Sequence, residues 1–161
     1  MELYILRHGI AEDGAAGQAD SERALTPDGK KKLRIVLRVA KAAKVSPTLI
    51  LTSPYKRALQ TAQLAGEILG YKGDLLRTNA LIPSASPVDA WNEIRVHQED
   101  TQVLLAGHEP LFSTLSAYLL GCRDLQIDFK KGALLRVDID RFHGEPRGVL
   151  KWMLIPRLAG A

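Results

Sequence analysis

The chain has 161 residues, of which 46% are apolar, and a net charge of +4; a chain of this length buries roughly 70% of the surface that it exposes when unfolded, so we expect one domain over residues 1–161. The single cysteine, Cys122, excludes disulfide scaffolds and cysteine-rich zinc fingers. The apolar run at residues 3–6 is too short for a signal peptide, and no run approaches the ~18 apolar residues of a membrane span, so we expect a cytoplasmic protein with no membrane partner.

Short apolar runs alternate with helical patterns along most of the chain. Residues 3–6, 48–51 and 103–106 have the length and composition of buried strands, and each run is followed by a turn and then by a helix-like segment. This alternation predicts a layered α/β domain with a mainly parallel sheet.

Three helix starts are marked by a hydroxyl capping residue followed by proline: Thr26-Pro27, Ser53-Pro54 and Ser86-Pro87. A fourth helix is expected to begin at Glu109-Pro110. The helix that we place after Ser53-Pro54 is expected to stop near Gly70. The strand-like runs 133–139 and 149–155 differ from this pattern, because only a turn separates them, and we predict an antiparallel hairpin.

Positive charge is concentrated in one segment. Residues 29–66 contain nine basic residues and no acidic one, a block that suits nucleic acid, acidic lipid, an acidic protein or a phosphorylated ligand. Four of these residues share a face of the first helix: Lys30, Arg34, Arg38 and Lys41. We interpret this basic stripe as a solvated face, with attraction of an acidic protein as the weaker alternative. No motif for reading DNA or RNA accompanies it, so a nucleic-acid-binding module remains a remote alternative.

Basic residues and histidines follow the predicted strands. Ligands of open α/β sheets bind at the carboxyl ends of the strands, and these ends carry Arg7-His8-Gly9, Arg57 and Gly107-His108. Two guanidinium groups can neutralise a phosphate dianion without a metal, which suits Arg7 and Arg57. Gly9 would let the backbone approach the ligand. The pattern therefore predicts a phosphate site.

The two histidines of this cluster have distinct expected roles. Nearby positive charge keeps an imidazole deprotonated, so that its free nitrogen can attack phosphorus, and His8 is the expected nucleophile. His108 is expected to donate a hydrogen bond to the transferring group. A protein that merely binds phosphate would not need two histidines beside the arginines.

A metal site is the main rival interpretation of these histidines. Glu12, Asp13 and Glu109 lie close in sequence and could complete a ligand set. The flanking arginines would repel a cation, so we expect neither a metal nor another cofactor. The chain also lacks a Walker-type loop and a dinucleotide-binding fingerprint.

Three segments resemble the histidine phosphatase superfamily, which has the phosphoglycerate-mutase-like fold, and its short SixA-type phosphohistidine phosphatases in particular. They are Leu6-Arg7-His8-Gly9, Thr52-Ser53-Pro54-Tyr55-Lys56-Arg57-Ala58-Leu59-Gln60-Thr61-Ala62 and Ala106-Gly107-His108-Glu109-Pro110. The resemblance implies a three-layer α/β/α sandwich in which His8 is transiently phosphorylated, Arg7 and Arg57 bind the phosphoryl group, and His108 completes the pocket. It also implies that Arg23, in the loop after the first strand, binds substrate.

One departure from the superfamily bears on the substrate. Larger members carry an acidic residue as general acid in the segment that here spans residues 79–87, which holds no carboxylate. An alkoxide leaving group needs that acid, whereas imidazole is a far better leaving group. We therefore predict a metal-independent phosphatase for a phosphohistidine protein, such as a signalling phosphotransfer protein. The alternative is a phosphomonoesterase for a small phosphorylated molecule, with Asp89 or Glu93 as its acid, although both are more simply interpreted as helix-terminus charges.

Overall fold

A computed structural model describes all residues from Met1 to Ala161. Six strands form one mixed sheet in the order β3-β2-β4-β1-β5-β6. The first four of these are mutually parallel, while β5 and β6 run antiparallel to their neighbours. The strands are β1 (Glu2–Arg7), β2 (Leu49–Thr52), β3 (Leu76–Arg77), β4 (Gln102–Gly107), β5 (Leu134–Asp138) and β6 (Val149–Leu154).

Helices cover both faces of this sheet. The helices are α1 (Pro27–Ala42), α2 (Lys56–Leu69), α3 (Pro87–Arg95) and α4 (Leu111–Leu119). Alternate residues of β1 point to opposite faces: Leu3 and Ile5 pack with α3 and α4, whereas Tyr4 and Leu6 pack with α1 and α2. The predicted three-layer α/β/α sandwich with a mainly parallel sheet is therefore confirmed. None of the helices has the length and apolar character needed to cross a membrane.

Most predicted element boundaries are confirmed within a residue or two. Thr26 and Ser86 cap α1 and α3, since their hydroxyl oxygens accept hydrogen bonds from the amides of Gly29 and Asp89. Gly70 ends α2 in the left-handed conformation, with φ of 82°, and β5 pairs with β6 as the predicted hairpin.

The predicted start of α2 at Ser53-Pro54 is wrong. The helix begins at Lys56, and its N-cap, Tyr55, makes no side-chain capping bond. Ser53 does not cap the helix because its hydroxyl contacts the imidazole of His108, a residue on another strand's end, at 2.9 Å. A tertiary contact therefore overrides the local capping pattern.

Candidate active site

Three neighbouring parallel strands bring the predicted site residues to one edge of the sheet. Arg7, at the end of β1, is in register with Gly107 of β4, and Thr52 of β2 is in register with Ala106. The residues that follow, His8, Ser53 and His108, therefore leave the sheet side by side. The imidazole centroids of His8 and His108 lie 5.0 Å apart.

The hydrogen bonds of His8 define which ring nitrogen is free. Its Nδ1 lies 2.7 Å from the carbonyl oxygen of Gly9. A carbonyl only accepts, so the proton is on Nδ1. The opposite nitrogen, Nε2, accepts from Nε of Arg57 at 3.3 Å. The lone pair of Nε2 therefore faces the guanidinium of Arg57, where a phosphoryl group would be bound.

The surroundings of His8 keep its imidazole neutral. Burial has the largest effect, and the positive charges of Arg57, Arg7 and Lys131 add to it, so that the pKa of His8 is lowered to about 4 despite the bond to the Gly9 carbonyl. At neutral pH the nucleophilic lone pair is thus not occupied by a proton.

We predict that an NMR titration of the His8 ring signals will show the imidazole neutral from pH 7 down to about pH 5, with protonation centred near pH 4. A depressed pKa means that the folded protein binds the proton more weakly than the unfolded chain does. The free energy of unfolding should accordingly decrease as pH falls from about 6.5 towards 4. A midpoint near 6.5 for His8, assigned by the loss of its signals in His8→Ala, would contradict this prediction.

Arg57 is buried beside His8 and is held by a residue that the sequence did not single out. It is only 5% exposed, and its Nη1 donates to the carbonyl oxygen of Asp20 at 2.6 Å while Nη2 donates to the Asp20 carboxylate at 2.9 Å. The guanidinium also lies over the ring of Tyr55, 5.2 Å from its centroid. These contacts fix the guanidinium beside His8.

The Asp20 carboxylate joins Arg57 to Arg23. Nη1 of Arg23 donates to its other oxygen at 2.8 Å, while Nε of Arg23 donates to the Glu12 carbonyl at 2.7 Å. Arg23 thus lies near the site, as the resemblance implied. The spacing of Asp20 from Arg23 is the sequence feature that could have pointed to it, because the 3-10 turn over residues 20–22 brings residues three apart onto one side. The hydrogen bond from Arg57, above all, lowers the pKa of Asp20, so this carboxylate stays ionised at neutral pH.

Two buried polar side-chain atoms of the protein have no hydrogen-bond partner, and both are in this site. They are Nε of Arg7 and Nδ1 of His108. Arg7 is otherwise anchored by its Nη1, which donates to the carbonyl oxygen of Phe129. Buried polar groups are normally paired, so two orphaned atoms at the ends of adjacent strands indicate a place for a polar ligand.

Ser53 determines the proton position on His108. Its buried hydroxyl oxygen accepts from the amide of Tyr55 at 3.2 Å and lies 2.9 Å from Nε2 of His108. The hydroxyl proton has no acceptor other than Nε2, which places the imidazole proton on Nδ1. Burial, followed by the charges of His8 and Arg57, lowers the pKa of His108 to about 2. His108 is therefore a neutral donor whose Nδ1–H is unpaired.

Gly9 also has a packing role, beside the close approach to a ligand that we expect of it. A Cβ at this position would lie 2.6 Å from Cδ1 of Leu33 and 3.2 Å from the carbonyl oxygen of Gly29. The glycine therefore allows α1 to pack against the loop after β1. Its carbonyl orients His8, and its amide donates to Thr61 of α2 at 3.3 Å.

Three of the five carboxylates that were considered as acids or metal ligands have other partners. Asp89 accepts from the Ser86 hydroxyl at 2.7 Å at the start of α3, and Glu93 lies 3.7 Å from His97 on the same helix. Glu109 accepts from the amide and the hydroxyl of Ser113. No three side chains of the His, Cys, Asp or Glu type are grouped so that they could hold a metal ion.

Comparisons with known proteins agree with this geometry. The model of the histidine phosphatase superfamily (branch 1) matches residues 3–79, which include both Arg-His-Gly and the Arg57 segment. An uncharacterised protein of the cyanobacterium Picosynechococcus is 34% identical over 84% of this chain and 83% of its own length. The phosphohistidine phosphatase SixA of Escherichia coli is 29% identical over 97% of this chain and 94% of its own.

A solved structure extends the comparison to the whole fold. The protein histidine phosphatase SixA, solved as a complex with tungstate, superposes with a TM-score of 0.85 at 27% identity and covers 98% of both chains. The match includes the carboxyl-terminal half, which holds His108 and the β5–β6 hairpin and lies beyond the segment matched by the family model. The chain therefore belongs to the histidine phosphatase superfamily.

Proposed function

We propose that residues 1–161 form one domain that hydrolyses phosphohistidine on a protein through a phosphorylated His8. Membership of the superfamily supports phosphatase chemistry in general. The observation that carries the finer proposal is the state of His8: a buried, neutral imidazole whose free Nε2 faces Arg57.

The phosphoryl group would bind between the arginines and the two histidines. Arg7 contributes its unpartnered Nε, and His108 its unpartnered Nδ1–H, each of which gains the hydrogen bond that it lacks. Arg57 and Arg23 add positive charge, and the phosphoryl oxygens compete with Asp20 for their N–H groups. Tungstate, which the related SixA binds, is an oxyanion, and its binding there supports an oxyanion pocket here.

The first chemical step transfers the phosphoryl group to His8. The Nε2 lone pair forms the new bond to phosphorus while the bond between phosphorus and the substrate imidazole breaks. The substrate ring takes up a proton from water on its second nitrogen and leaves as neutral imidazole. The proton stays on Nδ1 of His8, which keeps donating to the Gly9 carbonyl oxygen, so the phosphorylated ring carries a positive charge. That charge makes His8 a good leaving group in turn.

The second step releases inorganic phosphate. A water oxygen forms a bond to phosphorus as the bond to Nε2 breaks, and the electron pair of that bond returns to Nε2. The water proton passes to phosphate or solvent, so His8 regains its neutral form with no proton taken from the protein. Arg7, Arg57 and the Nδ1–H of His108 offset the negative charge on the equatorial oxygens in both steps.

The ionised state of Asp20 favours a phosphohistidine over a phosphate ester as the substrate. Asp20 is the carboxylate in contact with the site arginines, and its lowered pKa keeps it ionised, so it does not supply a proton. An alkoxide would therefore leave unprotonated, which is slow, whereas a phosphohistidine ring needs no proton from the enzyme.

A comparison of substrate classes tests the proposal. With a chelator present, we expect phosphate release from a phosphohistidine protein or peptide to exceed release from sugar phosphates and aryl phosphates by at least about 10²-fold in kcat/KM, within the range that one general acid contributes. Faster hydrolysis of the esters would identify a small-molecule phosphomonoesterase instead, and loss of activity with chelator would contradict metal independence.

A further inference from the structure

A basic groove adjoins the active site. We define it by its cationic side chains, Lys32, Lys130, Lys131 and Arg157 together with Arg7. The groove has a volume of about 750 Å³, and its apolar lining residues are Ile10, Ile155, Pro156 and Ala161. Asp128 is the one acidic side chain among the lining residues. Arg7 is the residue that the groove shares with the proposed phosphoryl site, so the groove lies beside that site, although His8, Arg57 and His108 do not line it.

The turn that carries the two lysines is fixed to the nucleophile's own backbone. The amide of Gly132 donates to the carbonyl oxygens of His8 at 3.0 Å and of Arg7 at 3.2 Å. Gly132 has a φ of 76°, and a Cβ there would lie 3.4 Å from Pro156. The turn is thus packed between β1 and the carboxyl-terminal segment, so its charges keep a set position relative to His8.

Two of the groove's cations have no anionic partner. Lys130 lies 2.6 Å from Asp128 and Lys32 lies 2.9 Å from Asp28, whereas Lys131 and Arg157 make no ion pair. The charge of Lys131 is close enough to contribute to the lowered pKa of His8. In the proposed function the phosphoryl group is bound by the half-buried Arg7 and the buried Arg57, which leaves the outer cations for other negative groups on the substrate.

We propose that this basic groove binds an acidic segment of the protein that carries the phosphohistidine. This inference rests on the proposed function and adds where the protein substrate lies. The outer cations, on α1, on the turn after Asp128 and on the carboxyl-terminal segment, are all exposed or half-buried. Exposed charges of this kind steer a large partner and set its orientation, whereas small-molecule sites enclose most of their ligand.

The basic residues of α1 differ in whether they line the groove. Lys32 faces it, whereas the basic stripe of Lys30, Arg34, Arg38 and Lys41 does not line it. Arg34 of that stripe pairs with Glu67 of α2 at 3.2 Å. Arg34 and Arg38 are therefore a control pair with the same charge at another place on the surface.

The test uses two synthetic phosphohistidine peptides that differ only in having glutamate or glutamine on both sides of the phosphohistidine. We expect the wild-type protein to hydrolyse the acidic peptide with a kcat/KM about tenfold higher at low salt. Raising the ionic strength towards 1 M, where the Debye length is about 3 Å, should remove the difference. The double variant Lys130→Glu/Arg157→Glu should lose the preference, while Arg34→Glu/Arg38→Glu, with the same change in net charge, should keep it.

Turnover of phosphoimidazole, which has no flanking segment, measures the catalytic pocket alone and corrects each variant for damage there. Lys131 is left unchanged in the variants because its charge acts on His8.

Equal kcat/KM for the two peptides with wild-type protein, or equal loss of preference in both double variants, would overturn the groove proposal and leave the proposed function intact. If Lys130→Glu/Arg157→Glu weakened only the binding of small phosphate esters that carry a second anionic group, the groove proposal would be overturned in favour of a small-molecule occupant. Failure to hydrolyse either peptide or phosphoimidazole would overturn the proposed function and this inference with it.

Discussion

Replacing His8 by Ala is expected to reduce phosphate release from phosphohistidine by about 10⁴-fold or more, because no other group replaces a covalent nucleophile. His8 is the residue whose free Nε2 contacts Arg57, and His108 cannot substitute, since its Nε2 is engaged by Ser53 and its Nδ1 carries the proton. The measurement is steady-state phosphate release together with quenching of the wild-type reaction in alkaline denaturant. Quenching should trap phosphate on the protein in an acid-labile, alkali-stable form, as phosphohistidine is.

His143→Ala is the matched control for this prediction. His143 is exposed and lies in the connection between β5 and β6, so we expect wild-type turnover. Circular dichroism of His8→Ala checks that the variant is folded. Residual turnover of His8→Ala within tenfold of wild type, or trapped phosphate in that variant at the wild-type level, would rule out His8 as the nucleophile.

The second large effect is expected for Arg57→Lys, which keeps the positive charge and removes the planar fork of donors. We expect kcat/KM to fall about 10²- to 10³-fold, the range observed when one preorganised donor to a transition-state oxygen is lost. A lysine ammonium cannot bond His8 through one nitrogen and still present two parallel N–H groups, as the Arg57 guanidinium does. The measurement is kcat and KM for the phosphohistidine peptide.

Arg34→Lys is the corresponding control, because Arg34 is a partly exposed arginine of α1 that pairs with Glu67. Exposed ion pairs contribute little, so its kcat/KM should match that of wild type. If Arg57→Lys retained activity within about threefold of wild type, the charge of Arg57 and not its hydrogen-bonding geometry would be what the reaction needs. The proposal that two N–H groups of Arg57 bind the phosphoryl group would then be incorrect.

Asp20 gives the site its arrangement of charge. Its carboxylate and carbonyl groups accept three hydrogen bonds from Arg57 and Arg23, and so the two guanidinium groups, which repel each other, are held close together. A buried cation without such a partner is costly. We therefore interpret Asp20 as a positioning residue for the arginines that we propose bind phosphate.

Much of the fold could be predicted because it depends on local patterns. The apolar runs of β1, β2 and β4 are buried on both faces and are therefore recognisable as continuous segments. Thr26, Ser86 and Gly70 act through bonds or backbone angles within their own turn, so the sequence around each is sufficient to predict it. Ser53 has the same local pattern, yet its hydroxyl binds His108, 55 residues away, and no local rule contains that partner.

The sequence by itself determined the fold class, the strand ends and the presence near them of Arg7, His8, Arg57 and His108, because the parallel direction of the strands follows from the alternation of apolar runs and helices. Only the tertiary structure decided the chemical state of those residues. The proton on His8, the proton on His108 and the charge of Asp20 depend on hydrogen bonds to Gly9, Ser53 and Arg57. Burial removes water as an alternative partner, so each of these groups takes the state that its few neighbours impose. The basic groove likewise exists only because the turn after Asp128 and the carboxyl-terminal segment meet α1 in space.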